Sequence, residues 1–193
     1  MTSSLNEQTL FSIQYNHRFA TLKLANQLRT IVPQYRSSYV VICIGTDRST
    51  GDSLGPLTGS LLQRRHLHKL HVYGTLHEPV HALNLVNYLT EINEKYRNPF
   101  IIAVDASLGK MASIGTIYCG NGSLKPGSAL QKELPEVGHA HLSGTVNLNS
   151  EMNQLILQNT RLSVVYDMAT IIAHSLYRLD LSLKKTANKS ILH

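Results

Sequence analysis

The sequence predicts a doubly wound α/β fold, in which helices cover both faces of a largely parallel sheet. Strand-like and helical segments alternate along the chain, which is the pattern of such a fold. Two of the strand-like segments, residues 39–44 and 100–105, are continuous apolar runs. Unbroken apolar strands are typical of parallel sheets that are buried on both faces. The alternation and the two runs together indicate the fold class.

The spacing of hydrophobic residues and the positions of prolines predict the elements in the first half of the chain. In order, we expect a helix over about residues 6–32, a strand over 39–44, a helix to about residue 65, a strand over 69–75, a helix from Pro79 and a strand over 100–105. Pro33 ends the first helix, because proline disrupts a helix interior. Pro79 is expected at the first position of a later helix, where proline is well tolerated. The third helix pattern rests on Leu83, Val86 and Leu89, which are spaced three apart.

The second half of the chain predicts two further strands and two closing helices. We expect strands over residues 114–119 and 142–148, a loop region over 120–138 between them, helices over 151–158 and 162–179, and a frayed tail after residue 183. The loop region contains Pro126, Gly127 and Pro135, and proline and glycine are typical of turns and loops. No repeat and no second domain is recognised, so residues 1–193 are interpreted as one domain with its core at about 39–179.

Composition limits the classes of function. Hydrophobic residues make up 42% of the chain and charged residues 16%, which is typical of a globular protein. The sequence has no membrane-spanning apolar run and no secretory signal, and Cys43 and Cys119 lie in apolar surroundings. We therefore expect a cytoplasmic protein with reduced thiols and no membrane partner. The formal net charge is +6, but the basic residues are scattered without interleaved aromatic residues, which disfavours a nucleic-acid partner.

Two aspartates are the primary candidates for chemistry. Asp52 lies in the glycine-rich loop after the first apolar strand, and Asp105 ends the second apolar strand in this interpretation. Parallel strands bring their carboxyl ends to one edge of the sheet, so the two carboxylates are expected to meet. Such a pair can share a proton, with one member activating water and the other polarising a carbonyl group. The alternatives are an N-cap role for Asp52 and an Asx-turn for Asp105.

Several nearby residues are candidates to shape the cleft. Asp47 and Arg48 precede Asp52 in the same loop, and His77 and His81 follow the expected strand over 69–75. Residues 77–81 match the His-Glu-x-x-His pattern of zinc peptidases, which needs both histidines on one helix face. Pro79 lies inside the pattern and disrupts a helix there. We therefore interpret the match as accidental and retain the two histidines as substrate-binding candidates.

A metal site is the alternative use of the aspartate pair. His139 and His141 flank Ala140, a spacing that places both on one face of a strand. Either histidine could complete a mixed carboxylate and imidazole site for a divalent metal with Asp52 and Asp105. The opposing interpretation is that both histidines lie in an exposed polar loop.

Three segments carry a resemblance to a known family. Residues 44–56, 74–81 and 103–109 closely resemble the YyaC family of sporulation proteins, and residues 157–162 are similar to it as well. The resemblance covers about residues 39–177, and its first and longest motif is specific. This family is similar to the germination protease of bacterial spores and, more distantly, to hydrogenase maturation proteases.

The resemblance implies a fold, two functional residues and a biological setting. The fold would be the three-layer αβα type of the maturation proteases, with a twisted, mostly parallel sheet. Asp52 and Asp105 match two acids of the germination protease that are implicated in peptide cleavage. No histidine of this chain matches the nickel-binding motif of the maturation enzymes unambiguously.

We therefore expect a sporulation-associated peptidase that hydrolyses a protein or peptide, conceivably a spore protein, in the cytoplasm of the sporulating cell or spore. No cofactor is expected for this reaction. The first alternative is a non-catalytic sporulation protein that binds a peptide or partner in the same cleft. The second is a metal-dependent maturation-type endopeptidase. The sequence leaves the oligomeric state open.

Overall fold

A computed structural model describes residues 10–127 and 134–189, with side chains up to Leu183. The strands are β1 (Phe11–Gln14), β2 (Tyr39–Cys43), β3 (Leu70–Tyr73), β4 (Phe100–Gly109), β5 (Thr116–Asn121) and β6 (Ala140–Leu148). The α-helices are α1 (Ala20–Ile31), α2 (Leu54–Gln63), α3 (Leu85–Lys95), α4 (Asn153–Gln158) and α5 (Leu162–Lys189). Short 3₁₀ turns cover Gly51–Ser53 and Met111–Ser113.

The six strands form one mixed sheet in the order β1-β5-β6-β4-β2-β3. β4 lies at its centre and pairs in parallel with β2 and β6, and β2 pairs in parallel with β3. β5 and β1 extend the sheet beyond β6 through antiparallel pairings. The α/β class is therefore confirmed, and the sheet is parallel in the half that contains β2, β3 and β4 but not throughout.

Helices cover both faces of the sheet because its central strands are buried on both sides. In β2, Val41 and Cys43 belong to a core that packs against α1, α2 and α5. The alternate residues Val40 and Ile42 belong to a second core, which packs against α3. Cys43 and Cys119 are free and buried as predicted, and burial raises the pKa of both thiols. In the described part of the chain, no helix is long and apolar enough to cross a membrane.

The N-terminal segment corrects one prediction. Residues 11–14 form strand β1 instead of part of a helix over 6–32, and α1 begins only at Ala20. β1 is an edge strand that pairs with β5, with Ile13 opposite Ile117. A short strand of this kind depends on a partner about a hundred residues away, which local periodicity does not reveal. Residues 6–9 of the predicted helix lie outside the described residues.

Three element boundaries also differ from the predictions. The helix expected from Pro79 begins at Leu85, because Val80 instead forms a bridge with Ile44 beside the sheet. β4 does not end at Asp105 but continues to Gly109, since its last residues pair with β6. The chain after Leu183 is not a frayed tail in the described residues, because α5 continues to Lys189.

A buried carboxylate ties α5 to the start of β3. Asp180 is fully buried and accepts hydrogen bonds from the backbone N–H groups of His68, Lys69 and Leu70, at 2.9, 2.7 and 2.9 Å. The backbone entering β3 thereby gains acceptors that no neighbouring strand supplies at this point. The interaction fixes where the edge strand β3 begins relative to α5.

We expect Asp180→Ala to lower the free energy of unfolding by about 3 kcal/mol, because it leaves buried N–H groups without a charged acceptor. Urea denaturation measures the difference. Asp167→Ala is the matched control, since Asp167 lies on the same helix and is exposed; it should change stability by less than about 0.5 kcal/mol. Equal effects of the two substitutions would contradict the structural role of Asp180.

Candidate active site

The turn after β2 folds back tightly and places Asp52 at the edge of the sheet. The N–H of Thr46 donates to the carbonyl oxygen of Asp52 at 3.1 Å, and the N–H of Gly45 donates to Val80 at 2.8 Å. Gly45 has a φ of 140°, and a side chain there would collide with the Asp52 carbonyl oxygen. Glycine at position 45 is therefore required by both the backbone conformation and the close approach.

Asp52 lies in the 3₁₀ turn ahead of α2, and the N-cap residue of α2 is Ser53. The N-cap alternative for Asp52 is therefore wrong. A second glycine, Gly51, packs against Leu157 and Thr160 at the end of α4, where a Cβ would approach Leu157 to 2.7 Å. The turn is thus held between the end of β2 and the C-terminal part of α4.

Asp105 is a buried carboxyl group on the central strand. Cys43, the last residue of β2, is level with Val104 of β4, so Asp105 lies one residue beyond the end of β2. Its side chain has only 6% exposure. The N–H of Ala106 donates to one carboxyl oxygen at 2.8 Å, and the N–H of Gly127 donates to the other at 3.4 Å. The first of these bonds runs to the adjacent residue and is not an Asx-turn.

Burial raises the pKa of Asp105 well above its usual range, and the nearby carboxylate of Asp52 raises this pKa further. The two N–H donors act in the opposite direction, because they favour the ionised form. The combined effect of burial and of the Asp52 charge is larger than that of the two N–H donors, so the pKa of Asp105 is raised. The two aspartates therefore interact electrostatically, with Asp105 as the member that retains its proton.

Both aspartates line one open cleft of about 370 Å³. The turn after β2 contributes one wall, the segment after β3 a second and α4 a third. The lining residues beside the two aspartates are Ile44, Gly45, Thr46, Arg48, Ser49, His81, Ala82, Leu83, Gly127, Leu134, Gln154, Leu157 and Gln158. The cleft has the size of a small ligand or of a few peptide residues.

The structure separates the four predicted substrate-binding residues. Arg48 and His81 line the cleft with the two aspartates. Asp47 is exposed in the turn and is not among the described residues that line it. His77 is also exposed and lies in a different, smaller pocket beside Arg64 at the end of α2.

The zinc-peptidase pattern has no helical geometry. Residues 77–81 are not helical, and the segment is held by other contacts. Thr75 and Glu78 exchange hydrogen bonds at its start, and the side chain of Asn84 accepts from the N–H of His81 at 2.7 Å. His77 and His81 therefore point into different pockets, as expected for an accidental match.

The histidines of the metal alternative lie away from the cleft. Nδ1 of His139 accepts from the N–H of Ile101, which is four residues, or about 13 Å, before Asp105 along β4. Nδ1 of His141 donates to the carbonyl oxygen of Gly122 at 3.1 Å, on the β5 side of β6. In the described part of the chain, no group of three or more histidine, cysteine, aspartate or glutamate residues is arranged to hold a metal ion. The proposed ligand set of Asp52, Asp105 and His139 or His141 is not assembled.

Two contributions to the cleft, from α4 and from Ser49, are not predicted from the sequence. Gln154, Leu157 and Gln158 form one wall of the cleft, although the sequence predicted this helix only as an element of structure. Ser49 lines the cleft with a buried hydroxyl that has no hydrogen-bond partner among the described residues. The only sequence signal for this wall was the family resemblance of residues 157–162.

The fold and the site define an α/β protein with two interacting aspartates in a cleft beside the carboxyl ends of parallel strands. Residues 12–175 match the model of the family described as "Protein of unknown function (DUF1256)". The match spans most of the chain, so the chain belongs to this family. It is similar to "Uncharacterized protein YyaC" from Bacillus subtilis (strain 168), with 52% identity over 141 residues that cover 73% of this chain and 69% of that protein.

The raised pKa of Asp105 predicts how stability depends on pH. The folded protein keeps the Asp105 proton at pH values where the unfolded chain has released it, so the unfolded state binds fewer protons there. Stability contributed by this group therefore falls as pH rises above the ordinary pKa of 3.8 toward the raised value. We expect Asp105→Asn to remove this fall, so that its free energy of unfolding gains on that of the wild type as pH increases.

Urea denaturation of both proteins at a series of pH values from about 4 to about 8 measures this difference. Asp167→Asn, an exposed aspartate on α5, should follow the wild-type pH dependence. Parallel curves for wild type and Asp105→Asn would show that the Asp105 pKa is not raised.

Proposed function

We propose that the protein is a sporulation-associated peptidase related to the germination protease and, more distantly, to the hydrogenase maturation proteases. The observation that carries the proposal is the buried Asp105 carboxyl, which faces the same cleft as Asp52 and is influenced by its charge. The resemblance of residues 44–56 and 103–109 to the YyaC family supports the biological setting. The similarity to the B. subtilis protein agrees with that resemblance.

The pair supplies both functions that peptide hydrolysis needs. The ionised Asp52 takes a proton from a water molecule, whose oxygen attacks the carbonyl carbon of the substrate. The protonated Asp105 donates a hydrogen bond to the carbonyl oxygen as negative charge develops there. Collapse of the tetrahedral intermediate breaks the C–N bond, and the departing amine receives the proton that Asp52 took from water. The products are a carboxylic acid and an amine.

The surrounding residues hold the substrate and the acid in place. The N–H groups of Ala106 and Gly127 fix the Asp105 carboxyl. Nδ1 of His81 accepts from the N–H of Leu83 at 3.3 Å, so a neutral ring carries its proton on Nε2 and can donate from there. Arg48 provides a positive charge that orients the substrate at the cleft.

The substrate is proposed to be a protein segment in an extended conformation. The cleft is open and is bordered by Leu83, which is 91% exposed, as well as by Leu134 and Leu157. The exposed Leu83 and the half-buried Leu134 favour contact with side chains of a peptide, whereas Leu157 is buried in the cleft wall. Spore proteins are the proposed class because the resemblance is to sporulation proteins.

We expect Asp52→Asn and Asp105→Asn each to lower the rate of cleavage by a factor of about one hundred or more, because each removes a proton-transfer group. The substrate is an acid extract of spore proteins, and mass spectrometry counts new peptide termini. Asp167→Asn is the matched control and should retain the wild-type rate, since Asp167 is exposed on α5.

The same assay distinguishes the alternatives. Turnover that is equal in all variants, or absent in the wild type, would contradict the peptidase proposal and leave a binding role for the cleft. Loss of activity with a chelator, restored by a divalent metal, would favour the metal-dependent enzyme over the aspartate pair.

A further inference from the structure

A second concave site lies along the outer edge of β3. Every residue from 70 to 75 lines this groove, whose volume is about 530 Å³. Alternate residues of a strand point to opposite faces of the sheet, so a groove that touches every residue follows the edge of the strand. Within the described residues, β3 pairs only with β2. The backbone groups on the other side of β3 therefore face the groove.

Elements from both faces of the sheet form the walls of this groove, which we call the β3 groove. Gln63 and Leu67, at and after the end of α2, lie on one side. The other side comes from α3 and the residue after it, which contribute Tyr88, Lys95 and Tyr96. β3 covers Leu70–Tyr73, and the N–H of Leu70 is already bonded to Asp180, so the open strand edge in the groove is about four residues long and begins with the Leu70 carbonyl group.

Aromatic rings form the wall on the α3 side. The ring of Tyr73 lies 6.0 Å from that of Tyr88 and 6.5 Å from that of Tyr96, both edge to face. Nζ of Lys95 lies 5.8 Å and 5.6 Å from the ring centroids of Tyr73 and Tyr96, so these rings already accept a cation. The Tyr73 hydroxyl is buried, and burial, the Tyr96 hydroxyl and the Glu91 carboxylate all raise its pKa.

The β3 groove carries net negative charge in a chain whose formal net charge is +6. Glu78 and Glu91 line it and are exposed, whereas Lys95 is its only lysine or arginine among the described lining residues. Burial, reinforced by the charge of Lys95, lowers the pKa of His71, so that this histidine is neutral at pH 7. Neither glutamate is in a salt bridge within the described residues.

We propose that the β3 groove binds an extended basic segment of a partner polypeptide, which adds as a strand beside β3. The backbone of the segment pairs with the outward N–H and C=O groups of β3, which is the general basis of strand addition. Alternate side chains of an added strand point to opposite sides. Lysine or arginine side chains on the α3 side meet the tyrosine rings and the carboxylates of Glu78 and Glu91.

Charge favours this occupant over a second copy of the same chain. A second copy would bring a groove lined by the same two glutamates and single lysine, so like net charges would oppose pairing of two copies through β3. A basic segment from another polypeptide is attracted by the same net negative charge.

The test uses synthetic peptides of about ten residues, with fluorescence polarisation for affinity and amide shifts of the labelled protein for location. One peptide alternates lysine and threonine, a second alternates glutamate and threonine, and a third has the lysines of the first with prolines in place of the threonines. We expect the first peptide to bind and to shift the amides of residues 70–75, and the second not to bind. The third should bind at least about tenfold more weakly, because proline cannot donate to the strand.

Glu78→Gln combined with Glu91→Gln should weaken binding of the first peptide about tenfold. Glu94→Gln is the matched control, since Glu94 is an exposed glutamate on α3 outside the groove, and it should leave the affinity unchanged. Failure of the first peptide to bind would overturn the proposal. So would equal affinity for the third peptide, equal effects of the double and control variants, or shifts in residues 70–75 that depend on protein concentration without peptide, which would indicate a second copy.

Discussion

Parallel pairing between β2 and β4 places the end of one strand beside the middle of the other, because Cys43 is level with Val104. β2 must leave the sheet there, whereas β4 continues to Gly109 with β6 as its neighbour. β4 therefore extends past the end of β2, and Asp105 is the first residue of β4 beyond that end. The turn that carries Asp52 follows the end of β2 and is held there by close glycine contacts. The meeting of the two carboxylates is therefore a consequence of strand register.

A comparison of the two most buried aspartates shows which is structural and which is available for chemistry. Asp180 accepts three backbone N–H groups and ties α5 to β3. Asp105 accepts two, one of them at 3.4 Å, and lies near the carboxylate of Asp52. Its environment favours the protonated form, which contributes nothing to an ion pair. A carboxyl group kept neutral by burial and like charge is the kind that enzymes use as an acid.

The sequence predicts well the parts of the structure that depend on local pattern. The apolar runs became β2 and the first half of β4, and the expectation that Asp52 and Asp105 share one edge follows from parallel strands alone. β1 was missed because its pairing with β5 is remote in sequence. The end of β4 was not predicted because the continuous apolar run stops at Asp105, whereas residues 106–109 owe their extended form to pairing with β6.

The cleft walls were harder to predict than the aspartates. Glutamines on a short helix such as α4 have no distinctive chemistry, so only tertiary packing reveals that Gln154 and Gln158 face the site. Tertiary packing also decides the positions of His77 and His81, which lie in one short sequence pattern but line different pockets. Their separation depends on the bridge between Val80 and Ile44, which turns the chain between them.

The segment from Gly74 to His81 connects the β3 groove with the cleft that contains the two aspartates. Gly74, Thr75 and Glu78 border the β3 groove, and His81 borders the cleft. Hydrogen bonds between Thr75 and Glu78 hold the start of this segment. A chain bound beside β3 would contact the segment that presents His81, so occupation of the groove and the position of His81 are physically linked through it. The open side of the edge strand β3 is therefore close to the carboxyl-terminal ends of the parallel strands, where Asp52 and Asp105 lie.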